Sequence, residues 1–174
     1  MTLRFAIFVS LLALTLGCER FPNGTETNFN WWVCGGFKGL TVKSVKPVKA
    51  DGSLDYPINL TKDLNIAVEF VNTKQVYPKL KLDVTIWNFG DYGRCQWLEI
   101  PTFGLLNSKD ACERSFPCPL KTGEQKVVVK LHLSQYKFIT QFFTNNAPYQ
   151  LQYKLSAPNG DSICIRAQAR AFTH

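Results

Sequence analysis

Apolar residues fall on every second position in one segment of this chain after another, the period of a strand that buries one face. Leu64, Ile66, Val68 and Phe70 alternate with Asn65, Ala67 and Glu69; Leu80, Leu82, Val84 and Ile86 alternate with Lys81, Asp83 and Thr85. Val127, Val129, Leu131 and Leu133 repeat the pattern against Val128, Lys130 and His132, as do Tyr149, Leu151, Tyr153 and Leu155 against Gln150, Gln152 and Lys154. A last strand is expected from Ile163 to about Phe172, and weaker ones over Phe29 to Cys34 and Leu40 to Val48, which makes seven. Ala50-Asp51-Gly52-Ser53 marks a turn, and Pro158-Asn159-Gly160-Asp161 a hairpin, because Asn-Gly accepts positive φ at low cost. With no sustained helical period, the pattern predicts an all-β domain of two antiparallel sheets packed face to face.

Two segments break the rhythm. Trp87 to Glu124 is too long for an ordinary hairpin and too aromatic for disorder, with Phe89, Tyr92, Trp97, Leu98, Ile100, Phe103, Leu105 and Leu106. Either these residues cap one end of the sandwich, or some stay exposed as an apolar rim able to enter a bilayer. Ser134 to Phe143 spaces Tyr136, Phe138, Ile139, Phe142 and Phe143 like a short amphipathic helix, a stripe that more often belongs to a core.

The first residues read as a secretory signal. Arg4 precedes the twelve-residue apolar stretch Phe5 to Leu16, and Thr15-Leu16-Gly17 places small residues for cleavage before Cys18. The stretch is too short to span a membrane, and no second apolar run approaches the roughly 20 residues a spanning helix needs. Gly17-Cys18 also resembles a lipoprotein signal, but Thr15 stands where that motif has leucine. The sequons Asn23-Gly24-Thr25 and Asn59-Leu60-Thr61 make Asn23 and Asn59 candidate glycosylation sites on a secretory route. Residues 1–17 are thus expected to be a signal peptide and residues 18–174 a single domain. Such a domain is large enough to bury a real core. Its net charge falls from +7 to +6 with the loss of Arg4, favouring anionic surfaces. The basic residues are scattered singly along strands (Lys79, Lys81, Lys130, Lys154, Arg166, Arg170), so membrane lipid is a better expected partner than nucleic acid.

Catalytic chemistry finds little support. His132 alternates outward on a strand and His174 is the last residue, neither beside a nucleophile or an orienting acid. Glu69, Asp83, Glu99 and Asp110 stand in no motif. The glycines at 35–36, 90 and 93 lack the strand-helix setting of a phosphate loop. No cofactor motif is found. No metal site is expected either, since Cys112 and Cys118 have no histidine cluster and an oxidising compartment favours a disulfide. The reading is therefore a binding protein rather than an enzyme.

Six cysteines allow fifteen pairings. Cys112 and Cys118 would close a tight loop, and Cys34 with Cys164 would tie the first strand to the last. Cys95 and Cys18 are left over; they can pair, or Cys18 can be lost or bond another chain and leave Cys95 to exchange with Cys112 or Cys118.

One ordered set of motifs runs over most of the domain: Trp31-Trp32-Val33-Cys34, Asn59-Leu60-Thr61 before a strand, Cys112 with Cys118-Pro119, and Gly160-Asp161-Ser162-Ile163-Cys164-Ile165. In it the chain resembles the ML domain, the lipid-recognition β-sandwich. Cys118-Pro119-Leu120-Lys121-Thr122-Gly123 and the run from Ser134 to Ile165 are more similar to its ganglioside-activator branch than to its sterol-carrier branch. The chain departs from that branch in having fewer cysteines, and in Ala147-Pro148 where a glycine is expected before Tyr149.

The resemblance implies an immunoglobulin-like sandwich whose sheets are splayed to leave an apolar cavity for acyl chains or a sterol. The walls would be Ile66, Val68, Phe70, Leu82, Val84, Ile86, Val129, Leu131, Leu151 and Tyr153; periodicity alone would equally fit a solid core. Trp87, Trp97, Leu98, Phe103 and Leu105 would form the membrane-contacting rim. The implied function is extraction of a glycolipid, phospholipid, sterol or fatty acid by peripheral, transient membrane contact, and its presentation, to a lysosomal hydrolase in the activator branch. The expected location is extracellular or in the lysosomal lumen. A secreted lipid sensor or co-receptor of innate immunity is the alternative, as is a non-lipid immunoglobulin-like module. The terminal placement of Cys34 and Cys164 argues against the last, whose cysteines lie on inner strands around a buried tryptophan.

Overall fold

The computed structural model describes residues 17–91, 94–132, 135, 136, 139 and 142–173. The expected signal segment up to residue 16, together with Tyr92, Leu133, Ser134, Phe138 and His174, lies outside the described residues. Among the described residues ten strands form: β1 (Asn30–Gly35), β2 (Leu40–Pro47), β3 (Ile58–Asn59), β4 (Leu64–Asn72), β5 (Lys81–Asp91), β6 (Cys95–Glu99), β7 (Lys109–Asp110), β8 (Gly123–Leu131), β9 (Ala147–Ser156) and β10 (Ser162–Phe172), with a short α-helix, α1 (Ala111–Arg114), and a 3-10 turn at Pro22–Gly24. Seven correspond to the strands that alternation predicts. The larger sheet runs β1-β10-β9-β5-β6, with β3 added beside β10 and β7 beside β5; the smaller runs β2-β4-β8. Pairing is antiparallel throughout, except where two-residue β3 lies parallel to β10.

The extra strands correct the reading of Trp87 to Glu124 as irregular. β5 continues to Asp91 and folds back on β6, pairing Trp87 with Glu99 and Phe89 with Trp97. The cause of the miss is an inversion of amphipathy. Up to Ile86 the apolar side chains face the core. Beyond it Trp87 and Phe89 occupy the outward phase, where the Arg166 guanidinium stacks 5.2 Å from the Trp87 ring and Trp97 packs 5.3 Å from Phe89. Both faces of the strand are thus covered near its end, and simple alternation disappears.

Three disulfides close the domain: Cys34–Cys164 and Cys112–Cys118, and Cys18–Cys95, which answers the open question of the leftover pair. Cys18 starts a segment that reaches from edge strand β6 to β10. Asn23 donates to Gln168 at 2.8 Å, Phe21 is buried beneath Arg170, and the Tyr56 hydroxyl donates to the Thr25 carbonyl while accepting from Arg170 N at 2.9 Å.

At one end of the sandwich the predicted hairpin holds a charged clasp. Gly160 takes the left-handed backbone, at φ 89°. Asp161 accepts from Lys74 Nζ at 2.7 Å, from the Tyr77 hydroxyl at 2.7 Å and from Asn159 at 2.8 Å. Burial, with the Asp161 hydrogen bond second, pushes the Tyr77 phenol up to about 12. The Lys74 hydrogen bond, followed by that of Tyr77, holds the Asp161 carboxyl below its ordinary 3.8. A carboxyl depressed on folding favours the folded state above its unfolded value, and that contribution is lost as pH falls through the folded value. Melting temperatures measured from about pH 7 to about pH 2.5 should therefore fall more steeply below about pH 4 for the native chain than for Asp161→Asn. A gap between the two proteins that stays constant over the range would count against the clasp.

Candidate functional site

Inward positions of a solid sandwich should all be buried, since packed interiors leave few voids larger than one water. Here Val68, Phe70, Val129, Leu131, Tyr153 and Leu155 are buried, but Ile66, Leu151, Ile165 and Ala167 are only half-buried although they face inward from paired strands. The reason is a cavity between the sheets, lined by all of these residues, with about 110 Å³ of room for the centres of water-sized molecules. β10 makes the space. Its inward positions descend from Ile163 and Ile165 to Ala167, Ala169 and Ala171, and three small side chains in succession leave room in the cavity that Ile66, Val68 and Val45 of the smaller sheet also line.

The walls are almost wholly apolar. The two phenols among them turn their hydroxyls away: Tyr149 donates to the Thr144 carbonyl at 2.8 Å, and Tyr153 lies 2.8 Å from Ser115 Oγ. Burial holds the Tyr153 phenol far above its ordinary range, so it stays neutral. Cavities of this character stay dry and take apolar ligands.

Of the ten wall residues expected from sequence, Ile66, Val68, Phe70, Ile86, Val129, Leu131, Leu151 and Tyr153 line this cavity. Leu82 and Val84 do not; they are packed, and border a second, smaller cavity with Leu106, Lys109, Arg114, Ser115, Lys130, Leu131 and His132. Sequence reasoning missed the β2 residues Leu40, Val42 and Val45, the segment Ile58 and Leu60, and the alanines of β10. Alternation was visible in β10, and its small inward residues were the available signal. Ile58 and Leu60 had none, since β3 is too short to show a period. In the Ser134 to Phe143 segment Ile139 and Phe143 are buried, Phe143 lining the cavity, while Phe142 is 45% exposed.

The rim candidates separate into two groups. Trp87 and Trp97 lie on the outer face of the larger sheet, each half-buried against its neighbour, and Leu98 pairs opposite Asn88. Phe103 and Leu105 instead share a tight turn closed by Leu105 N donating to the Thr102 carbonyl at 2.9 Å. Phe103 adopts φ 49°, a conformation costly for a bulky residue, and as a residue it is 70% exposed at the tip. Among the described residues no group of three or more His, Cys, Asp or Glu could hold a metal ion.

A two-sheet sandwich enclosing an apolar void defines a binding module for hydrocarbon ligands. Residues 28–171 match the family model of the ML domain, and the chain belongs to that lipid-binding family. No curated protein matches the chain. Among solved structures it is similar to a Niemann-Pick type C2 protein from Japanese carpenter ant, at 10% identity and TM-score 0.48, over 82% of this chain and 98% of that one. It is also similar to the C-terminal domain of wzt, at 12% identity and TM-score 0.41, over 83% of this chain and 78% of that domain.

Proposed function

We propose that this protein is a lipid carrier that withdraws a lipid from a membrane into the cavity between its sheets and presents it to a partner. The observation that supports this reading is the apolar void itself, with half-buried Ile66, Leu151, Ile165 and Ala167 facing it. Each methylene removed from water contributes about 0.8 kcal/mol, so a long-chain lipid gains on the order of 10 kcal/mol in a dry, preformed space. Binding then needs no reactive group, and the protein acts without catalysing a reaction.

The basic domain is drawn to anionic membrane, Phe103 and Leu105 enter the interface, and the tails slide between the sheets. The chain is exported by cleavage after Gly17, carries glycan on Asn59 and Asn23, and works outside the cell or in the lysosomal lumen. There, as in the ganglioside-activator branch it resembles, presentation serves a hydrolase.

The test is uptake by delipidated protein. A fluorescent long-chain fatty acid should bind saturably, and no saturable binding of any lipid would overturn the proposal. In the same assay Phe103→Ser with Leu105→Ser should weaken vesicle binding about tenfold through lost apolar burial, while uptake of monomeric fatty acid stays unchanged. Equal vesicle binding by variant and native protein would exclude this turn as the contact.

A further inference from the structure

The second cavity has a different chemistry. Its floor is Leu82, Val84, Leu106 and Leu131, and its wall carries Lys109 from β7, Arg114 from α1, and Lys130 and His132 from β8. No carboxylate among the described residues lines it. Of the neighbouring acids, Asp63 is held at the edge of the wall by His132 at 2.8 Å, while Asp83 accepts from Ser108 N at 2.8 Å and Asp110 from Cys112 N at 2.8 Å as the cap of α1. Lys109, Arg114 and Lys130 make no side-chain ion pair or hydrogen bond to any described residue. Three cations around one depression, none of them paired with a carboxylate among the described residues, complement an anion.

The depression also adjoins the lipid cavity. Leu131 lines both, and Ser115, in the wall of the basic cavity, bonds the Tyr153 hydroxyl in the wall of the apolar one. The Ser115 carbonyl accepts from Lys130 N at 3.1 Å, which holds the end of α1 against β8 at this junction. We infer that Lys109, Arg114 and Lys130 form a headgroup site, so that the lipid carried is one with a compact anionic headgroup, phosphate-bearing, whose tail turns past Leu131 into the void. This rests on the lipid-carrier reading and adds the headgroup class to it.

The experiment offers identical vesicles of phosphatidylcholine with a fixed fraction of phosphatidylglycerol, containing either fluorescent phosphatidic acid or fluorescent diacylglycerol with the same tails. Membrane recruitment is then equal for both probes. Native protein should extract phosphatidic acid in preference. The variant Lys109→Gln/Arg114→Gln/Lys130→Gln should lose that preference, read as the ratio of phosphatidic acid to diacylglycerol extracted, by at least about tenfold, as removal of charge-assisted hydrogen bonds implies. Removing the same charge elsewhere, in Lys46→Gln/Lys49→Gln/Lys121→Gln, should leave the preference intact. Equal preference in native protein and triple variant, or equal loss in the control variant, overturns the headgroup site. Inorganic phosphate that displaces the probe as well as phosphatidic acid does would mark a free-anion site and overturns it too. Extraction of neither lipid by native protein would instead bring down the carrier reading itself.

Discussion

Ala167→Phe should abolish lipid uptake while leaving the protein folded. Ala167 faces the void from β10, half-buried in spite of its inward position, so a phenyl ring there has space to occupy without displacing packed neighbours. The ring would take the place of roughly four methylenes of tail, which at about 0.8 kcal/mol each is about 3 kcal/mol, a loss of affinity greater than 100-fold. Because the ring is itself buried in apolar surroundings, the melting temperature should hold or rise. Leu82→Ala supplies the contrast. Leu82 is packed away from the main cavity, so its truncation should cost about 2–5 kcal/mol of stability and leave fatty-acid uptake in place. Uptake by Ala167→Phe equal to that of the native chain, measured by fluorescence titration, would mean that ligand does not occupy this space.

Breaking Cys34–Cys164 should have the largest effect on stability. The bond joins β1 to β10 across a sequence separation of 130, and closing a loop of that order is worth about 4–5 kcal/mol in chain entropy. For a domain of this size each kcal/mol shifts the melting temperature by about 2–4 °C, so Cys34→Ser/Cys164→Ser should melt about 10–20 °C lower. Cys112–Cys118, with a separation of 6, should cost roughly half as much free energy when removed. Calorimetry of both variants checks the order. A smaller effect from the long loop than from the short one would contradict it.

Most strands were legible because their inner faces are apolar and their outer faces wet, and alternation reports that contrast directly in β4, β8 and β9. The end of β5 with β6 was hidden because Trp87, Phe89 and Trp97 cover each other and Arg166 on the outer face, erasing the contrast. β3 and β7 hold two residues each and cannot show a period. The cavity is a harder case. Apolar inward residues such as Val68 and Leu155 would sit equally well in a solid core, and whether they enclose space depends on volumes summed across two sheets. The partial clue was Ala167, Ala169 and Ala171 in the inward phase of one strand. The basic depression could not be read at all, since Lys109, Arg114 and Lys130 come from three elements that only the β5–β7 pairing and α1 bring together.

Native mass spectrometry of the protein purified from its own cells, under conditions that preserve non-covalent ligands, asks most directly whether the space between the sheets holds hydrocarbon. A hollow sandwich predicts a population heavier than the ligand-free protein by the mass of a discrete lipid, released on activation and restored by adding lipid to the stripped protein. A single ligand-free mass, unchanged when phosphatidic acid, diacylglycerol or fatty acid is added, would contradict it.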